Sequence, residues 1–131
     1  MLIVGPGEVR FGGRVWERVS WVSVAQEGEG VVAEWGDEGP HAAFVDVPRR
    51  RVDIEVVQEV AGTDLVDPEL GEREDLVVLA RSAGGATRTV RVDAVVRSVR
   101  HEVSARGATR RVRLIGVSDD GSDDPVAVTG G

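Results

Sequence analysis

Catalysis needs nucleophiles, acid–base pairs or metal ligands, and this chain of 131 residues offers few of them. His41 and His101 are its only imidazoles. A catalytic pair built on either would need a nucleophile or a ligand set beside it. The sequence holds no Gly-x-Ser-x-Gly elbow, no His-x-x-x-His and no cysteine, so both histidines read as ordinary surface or interface residues. The run Asp119-Asp120-Gly121-Ser122-Asp123-Asp124 invites a calcium reading. An EF-hand loop, however, needs alternating oxygen ligands, glycine at its sixth position and glutamate at its twelfth. Here glycine comes third and no such glutamate follows, which leaves a solvated turn. Gly5-Pro6-Gly7 lacks the strand–loop–helix setting of a phosphate cradle and reads as a turn. No enzymatic activity and no cofactor or metal is expected.

Charge is the other resource. Arg49-Arg50-Arg51 follows Pro48, and Arg110, Arg111 and Arg113 cluster further on. A nucleic-acid reading asks for basic stripes interleaved with stacking aromatics, and no aromatic lies near either cluster in sequence. The net charge is −7, which opposes holding a phosphate backbone or an anionic membrane. The arginines are therefore expected to pair with carboxylates on the same or a neighbouring subunit, with Asp67, Glu69, Glu72, Glu74 and Asp75 as candidates. Trp16, Trp21 and Trp35 read as core or interface anchors; a stacking platform for a bound ligand is the alternative use.

The elements that would position these side chains are strands. From Arg88 to Val103 and again from Thr109 to Val117, valine alternates with charged residues, the period of a strand with one buried and one polar face. Ala105 to Ala108 supplies the turn. The first arm far exceeds the ordinary strand of about 5–6 residues, so the hairpin is expected to project from its domain or to be covered by a neighbour. Its valines change parity, Val90, Val92 and Val96 against Val99 and Val103, which predicts a β-bulge near Arg97–Ser98. A similar change near Trp21 predicts a bulge in an early strand running from Arg14 to Ala25. Arg51 to Val60 alternates with Val52, Ile54 and Val56 inward. Shorter strands are expected at Met1–Val4, Glu8–Phe11, Val31–Trp35, Ala42–Val47, Leu76–Ala80 and Val126–Val128. Gly28 to Gly30 reads as a turn, Ser82 to Ala86 as a loop, and Ala61 to Asp75 as a connector with one weak helical turn between Asp64 and Arg73.

Hydrophobic content of 41% with 30% charged residues is that of a globular chain, and its length suits one domain over residues 1–131. Valine dominates the apolar positions, and β-branched side chains favour strands. No secretory-type segment opens the chain, and no apolar run approaches the roughly 18 residues of a membrane helix. The fold class expected is all-β: an antiparallel β-sandwich or small barrel with a long C-terminal hairpin and at most one short helix.

Three stretches carry a resemblance to a known family: Val15 to Val24, Pro48 to Val56, and Ala94 to Ser104 with Gly107 to Leu114. They resemble the tail tube proteins of tailed bacteriophages and phage-like particles. The resemblance implies a structural subunit that self-assembles into stacked, usually hexameric, rings in a virion tail built in the host cytoplasm. Its partners would be copies of itself and other tail proteins, with DNA in transit and not bound, and with no membrane. Tail terminators, baseplate rings and capsid decoration proteins share the architecture and remain alternatives, as does a ligand-binding β-sandwich. The family's usual helix has no strong counterpart here. On this resemblance the subunit interface would use Arg49, Arg50, Arg51, Arg97, Arg100, Arg110, Arg111 and Arg113. The channel would be lined by Asp53, Glu55, Glu59, Asp93 and Glu102, so that it repels the DNA backbone. Asp93 and Glu102 share a face only if the strand is bulged between them.

Overall fold

The computed structural model describes residues 2–4, 6–61, 68–81 and 86–130, with side chains from residue 7 onward. The expected turn of helix between Asp64 and Arg73 lies partly outside these residues; its described part, from Pro68, is a turn leading into a strand. Among the described residues there is no helix, and every strand pairing is antiparallel. The strands are β1 (Leu2–Val4), β2 (Pro6–Phe11), β3 (Arg14–Trp16), β4 (Val19–Glu29), β5 (Val32–Trp35), β6 (Ala42–Asp46), β7 (Arg49–Val60), β8 (Arg73–Arg81), β9 (Thr87–Ser104), β10 (Gly107–Gly116) and β11 (Val126–Gly130). Nine of them form one sheet in the order β1-β4-β7-β10-β9-β8-β2-β3, with β11 beside β9, while β5 and β6 form a separate two-stranded sheet.

The large sheet coils until β2 comes back against β4, so that alternate residues of its strands meet in one core. Val9, Phe11, Trp16, Val22, Ile54, Val56, Leu76, Val78, Val92, Val96, Val112 and Leu114 are all buried there. Phe11 and Trp16 meet at 5.0 Å between ring centroids, which is within the range of favourable aromatic contact. Aliphatic β-branched residues fill the rest, as the scarcity of aromatics requires.

Both predicted bulges are present. In β4, Val19 stands opposite Gln58 and Trp21 opposite Val57, so Ser20 is the extra residue. In β9, Ser98 faces Arg113 and Val96 faces Leu114, so Arg97 is extra. Val90, Val92, Ala94 and Val96 point inward before that bulge, and Val99, paired with buried Val112, packs against the core after it.

Other boundaries move. The early strand breaks at Arg18, whose φ of 56° turns the chain between β3 and β4; its carbonyl accepts the Glu59 amide at 3.0 Å. β4 then runs on through Gly28 and Glu29, because β7 pairs with it as far as Glu29–Arg49. A continuous ladder has overridden local glycine preference. Gly28 also fits for a steric reason: a Cβ there would collide with the Val47 side chain. Gly116 is similar, since a Cβ would stand 2.9 Å from Val52.

The long hairpin does not project. β10 lies between β7 and β9 in the middle of the sheet and buries Ala108, Arg110, Val112 and Leu114. Its inner face is covered by its own chain.

Truncating a buried side chain in so small a core should be costly. Leu114→Ala is expected to lower unfolding stability by about 2–5 kcal/mol. Val15→Ala, at a residue that is 48% exposed, should stay within about 0.5 kcal/mol. Urea unfolding of the two variants measures the contrast.

Candidate assembly surface

The residue types that sequence singled out gather on the outward face of the sheet formed by β4, β7, β10, β9 and β8. Because Val52, Ile54 and Val56 point inward, Arg51, Asp53, Glu55 and Glu59 point outward. Likewise Arg111 and Arg113 stand opposite in parity to Val112 and Leu114. The registers align them into rows across the strands: Trp21–Val57–Arg111–Arg100, then Ser23–Glu55–Arg113–Ser98, then Ala25–Asp53–Ile115–Val95–Arg73. The Arg97 bulge puts Asp93 and Glu102 on this same face. All five acids assigned to a channel thus share one side of the sheet.

Four of the five, Asp53, Glu55, Asp93 and Glu102, are paired there with arginines of the same chain. Arg51 donates to Asp53 at 2.9 Å and to Glu29 at 2.7 Å, with Glu27 at 3.4 Å. Glu55 sits between Arg111 at 3.2 Å and Arg113 at 3.4 Å. Arg100 lies 3.2 Å from Glu102, and Arg73 holds Asp93 in a two-pronged contact at 3.1 and 2.7 Å while also reaching Asp119 at 2.6 Å. Arg97, exposed at the bulge, lines a shallow depression with Asp53, Glu55 and Arg113.

Of the clustered arginines, Arg51, Arg111 and Arg113 thus pair with carboxylates within the subunit, through acids of their own or adjacent strands and not through the connector acids expected. Of those, Glu72 pairs with Arg14 and Asp75 with Arg91 at 3.5 Å; Asp67 lies outside the described residues. The pairs of Arg73 were not foreseen. Only three-dimensional register brings Arg73 beside Asp93, 20 residues away.

Arg49 and Arg50 are exposed and line a groove between Pro48 and the 118–125 loop. Arg110 differs from the other interface candidates: it points into the fold and is only 3% exposed. It lies in a polar row at one end of the core, between Gln58 of β7 and His101 of β9. Arg110 Nε donates to His101 Nε2 at 3.0 Å, and Gln58 Nε2 donates to the Glu17 carbonyl at 2.9 Å.

The tryptophans divide. Trp16 is core and Trp21 is half-buried on the outer face, whereas Trp35 is 61% exposed. A stacking platform using Trp16 is ruled out by that burial. Trp35 belongs to the β5–β6 hairpin, which also exposes Val32, Phe44 and Val45. Sequence placed these two strands but missed their exposure, although apolar residues at both parities with no arginine from Val31 to Pro48 were the available signal.

The acidic run forms a turn organised by Asp120, whose Oδ1 accepts hydrogen bonds from Ser118 Oγ at 2.8 Å, the Ser122 amide at 2.8 Å and the Asp123 amide at 2.9 Å. Among the described residues, no three or more histidine, aspartate or glutamate side chains gather in a metal-holding group. The fold and this surface define an all-β protein with an ion-paired outer sheet face. No protein-family model matches the chain, and no curated protein matches it in sequence.

Two carboxyls carry a pH dependence. Hydrogen bonds from Arg73 hold Asp93 below the ordinary carboxylate range, and the Asp123 and Ser122 amides do the same for Asp120. A carboxyl whose folded pKa is depressed stabilises fully above its unfolded value of about 3.9 and loses that contribution as pH falls through the folded value. Asp93→Asn and Asp120→Asn should therefore be less stable than the parent at neutral pH, with the gap beginning to narrow below about pH 4. Urea midpoints of the three proteins at pH 7 and pH 3 give the comparison; a gap unchanged between them would contradict it.

Proposed function

We propose that this chain is a structural subunit that self-assembles into stacked rings, hexameric as in the family it resembles, forming the tail tube of a phage or phage-like particle and serving as a conduit for DNA. The observation that carries the reading is the edge of β9. Strand β8 pairs with β9 only up to Val95, and the turn at Gly71–Glu72 satisfies Val96. From Arg97 to Ser104, no described strand lies beside β9 on the side away from β10. Unpaired strand edges are templates for pairing with another chain, and repetition of one such pairing between identical subunits produces rings or filaments.

The outer face supports the second half of the reading. Five of its arginines, Arg51, Arg73, Arg100, Arg111 and Arg113, are engaged by Asp53, Glu55, Asp93 and Glu102, so most of its positive charge is not offered to a phosphate backbone. Such a face would let DNA slide past instead of holding it. The chain acts by shape and assembly, in a virion tail put together in the host cytoplasm.

Sedimentation velocity and negative-stain electron microscopy of the purified protein should find rings or tubes with a central channel. A monomer at every accessible concentration would overturn the proposal, as would salt-sensitive DNA binding at physiological ionic strength that weakens on replacing Arg111 and Arg113.

A further inference from the structure

The β5–β6 hairpin is the part of the molecule least explained by its own fold. It is a separate two-stranded sheet, and two strands alone are marginally stable in water without a third strand or a covering surface. Its register places Ala33, Trp35, Ala42 and Val45 on one face and Val32, Glu34, Phe44 and Asp46 on the other. Both faces are open: Val32 is 50%, Trp35 61%, Phe44 53% and Val45 54% exposed. Neither β5 nor β6 has a second strand partner among the described residues. At its base the hairpin is fixed to the body, since half-buried Val47 lies over Gly28.

We infer that this hairpin is an assembly element that adds to the open Arg97–Ser104 edge of β9 in a second copy of the chain. The inference rests on the self-assembly reading and names the surfaces that carry it.

Three observations select that occupant. Charge is complementary: between Val31 and Pro48 the chain has Glu34, Asp37, Glu38 and Asp46 with no arginine, whereas the β9 edge and its turn carry Arg97, Arg100 and Arg106 against Glu102. Length is complementary too, for strands of four and five residues fit within an eight-residue edge whose Val103 is 65% exposed. Position makes the contact intermolecular. The hairpin springs from the Glu29–Arg49 end of the β4–β7 ladder, and the open edge runs to the opposite end, where Ser104–Gly107 and Ala108–Val60 pair. Those ends are about 35 Å apart along β7 at roughly 3.3 Å per residue. The edge begins at Arg97, level with Glu55 and Ile54, so strands of four and five residues rooted beside Arg49 do not extend along it to Ser104. Donor and acceptor on opposite ends make a head-to-tail contact, the kind that closes into rings or grows into filaments.

The absence of native cysteine permits a direct test on the full chain. Ala43→Cys and Val103→Cys are made as separate single variants and mixed under mild oxidation. The mixture should give a disulfide-linked dimer of one of each variant, in clear excess over either variant alone and over a mixture using Ser122→Cys. In parallel, Trp35→Ser and Phe44→Asp, at positions already exposed, should leave the thermal melt unchanged at concentrations where the chain is dissociated. They should weaken self-association by about 30-fold or more, as loss of a central apolar anchor does. Assembly at parental affinity in both variants, with no A43C–V103C dimer, would overturn the hairpin's role while leaving self-assembly intact. A parent chain that stays monomeric would overturn both.

Discussion

An antiparallel strand keeps every second side chain on one face only while its ladder is regular, and β9 is too long for one regular ladder to serve this fold. Up to Val95 it borders β8 on one edge, and from Ala94 onward it borders β10 on the other. The extra residue at Arg97 sits at the handover. It lets Val90, Val92, Ala94 and Val96 remain in the core while Val99 takes over beyond it. Without that residue, one half of the strand would turn its valines to solvent and its charges inward, and burying a run of unpaired charges would cost more than the valines contribute. A bulge also bends the strand and increases its local twist. The place where β9 changes partners is thus also where the sheet is bent, and beyond it one edge of β9 is left without a described neighbour.

Much of this was legible in the sequence because it depends on alternation. The parity switches at Ser20 and Arg97 can be read from valine spacing alone, since a buried face cannot tolerate a slipped register. The inward triad Val52, Ile54 and Val56 is equally direct. What could not be read was set by partners distant in sequence. Nothing local says that Gly28 and Glu29 continue a strand; they do so because Arg50 and Arg49 stand opposite. Arg110 resembles its neighbours Arg111 and Arg113 in type, and only its parity separates a residue sealed beside His101 from two that meet Glu55. Ion-pair partners were the least legible of all. Arg73 meets Asp93 through register, and sequence separation gives no hint of it.

The outer face follows from these registers. Exposed ion pairs contribute only about 0–1 kcal/mol each, so the pairing of Glu55 with two arginines is a weak account of stability. Its stronger effect is on the field above the sheet. Arg51, Arg73, Arg100, Arg111 and Arg113 each sit beside a carboxylate, and opposite charges held a few ångströms apart cancel beyond a Debye length of about 8 Å at physiological salt. A face built this way is heavily hydrated, close to neutral at a distance, and poor at capturing a polyanion. That combination suits a surface along which something charged must move.

The hairpin has the opposite character, and its charge pattern resolves an apparent hazard. Two open edges carrying Val32, Trp35, Phe44 and Val45 invite pairing with an identical hairpin, the usual route to uncontrolled aggregation. Four carboxylates with no compensating arginine in the same segment oppose that encounter, because like charges brought together across a new strand pairing repel. The same carboxylates favour a basic edge. Arg97 and Arg100 lie on the stretch of β9 that is open, and Arg106 lies in the turn that follows it. Self-avoidance of the hairpin and attraction to the far end of a neighbouring copy are then one property. It would turn an aggregation-prone ribbon into a directional contact.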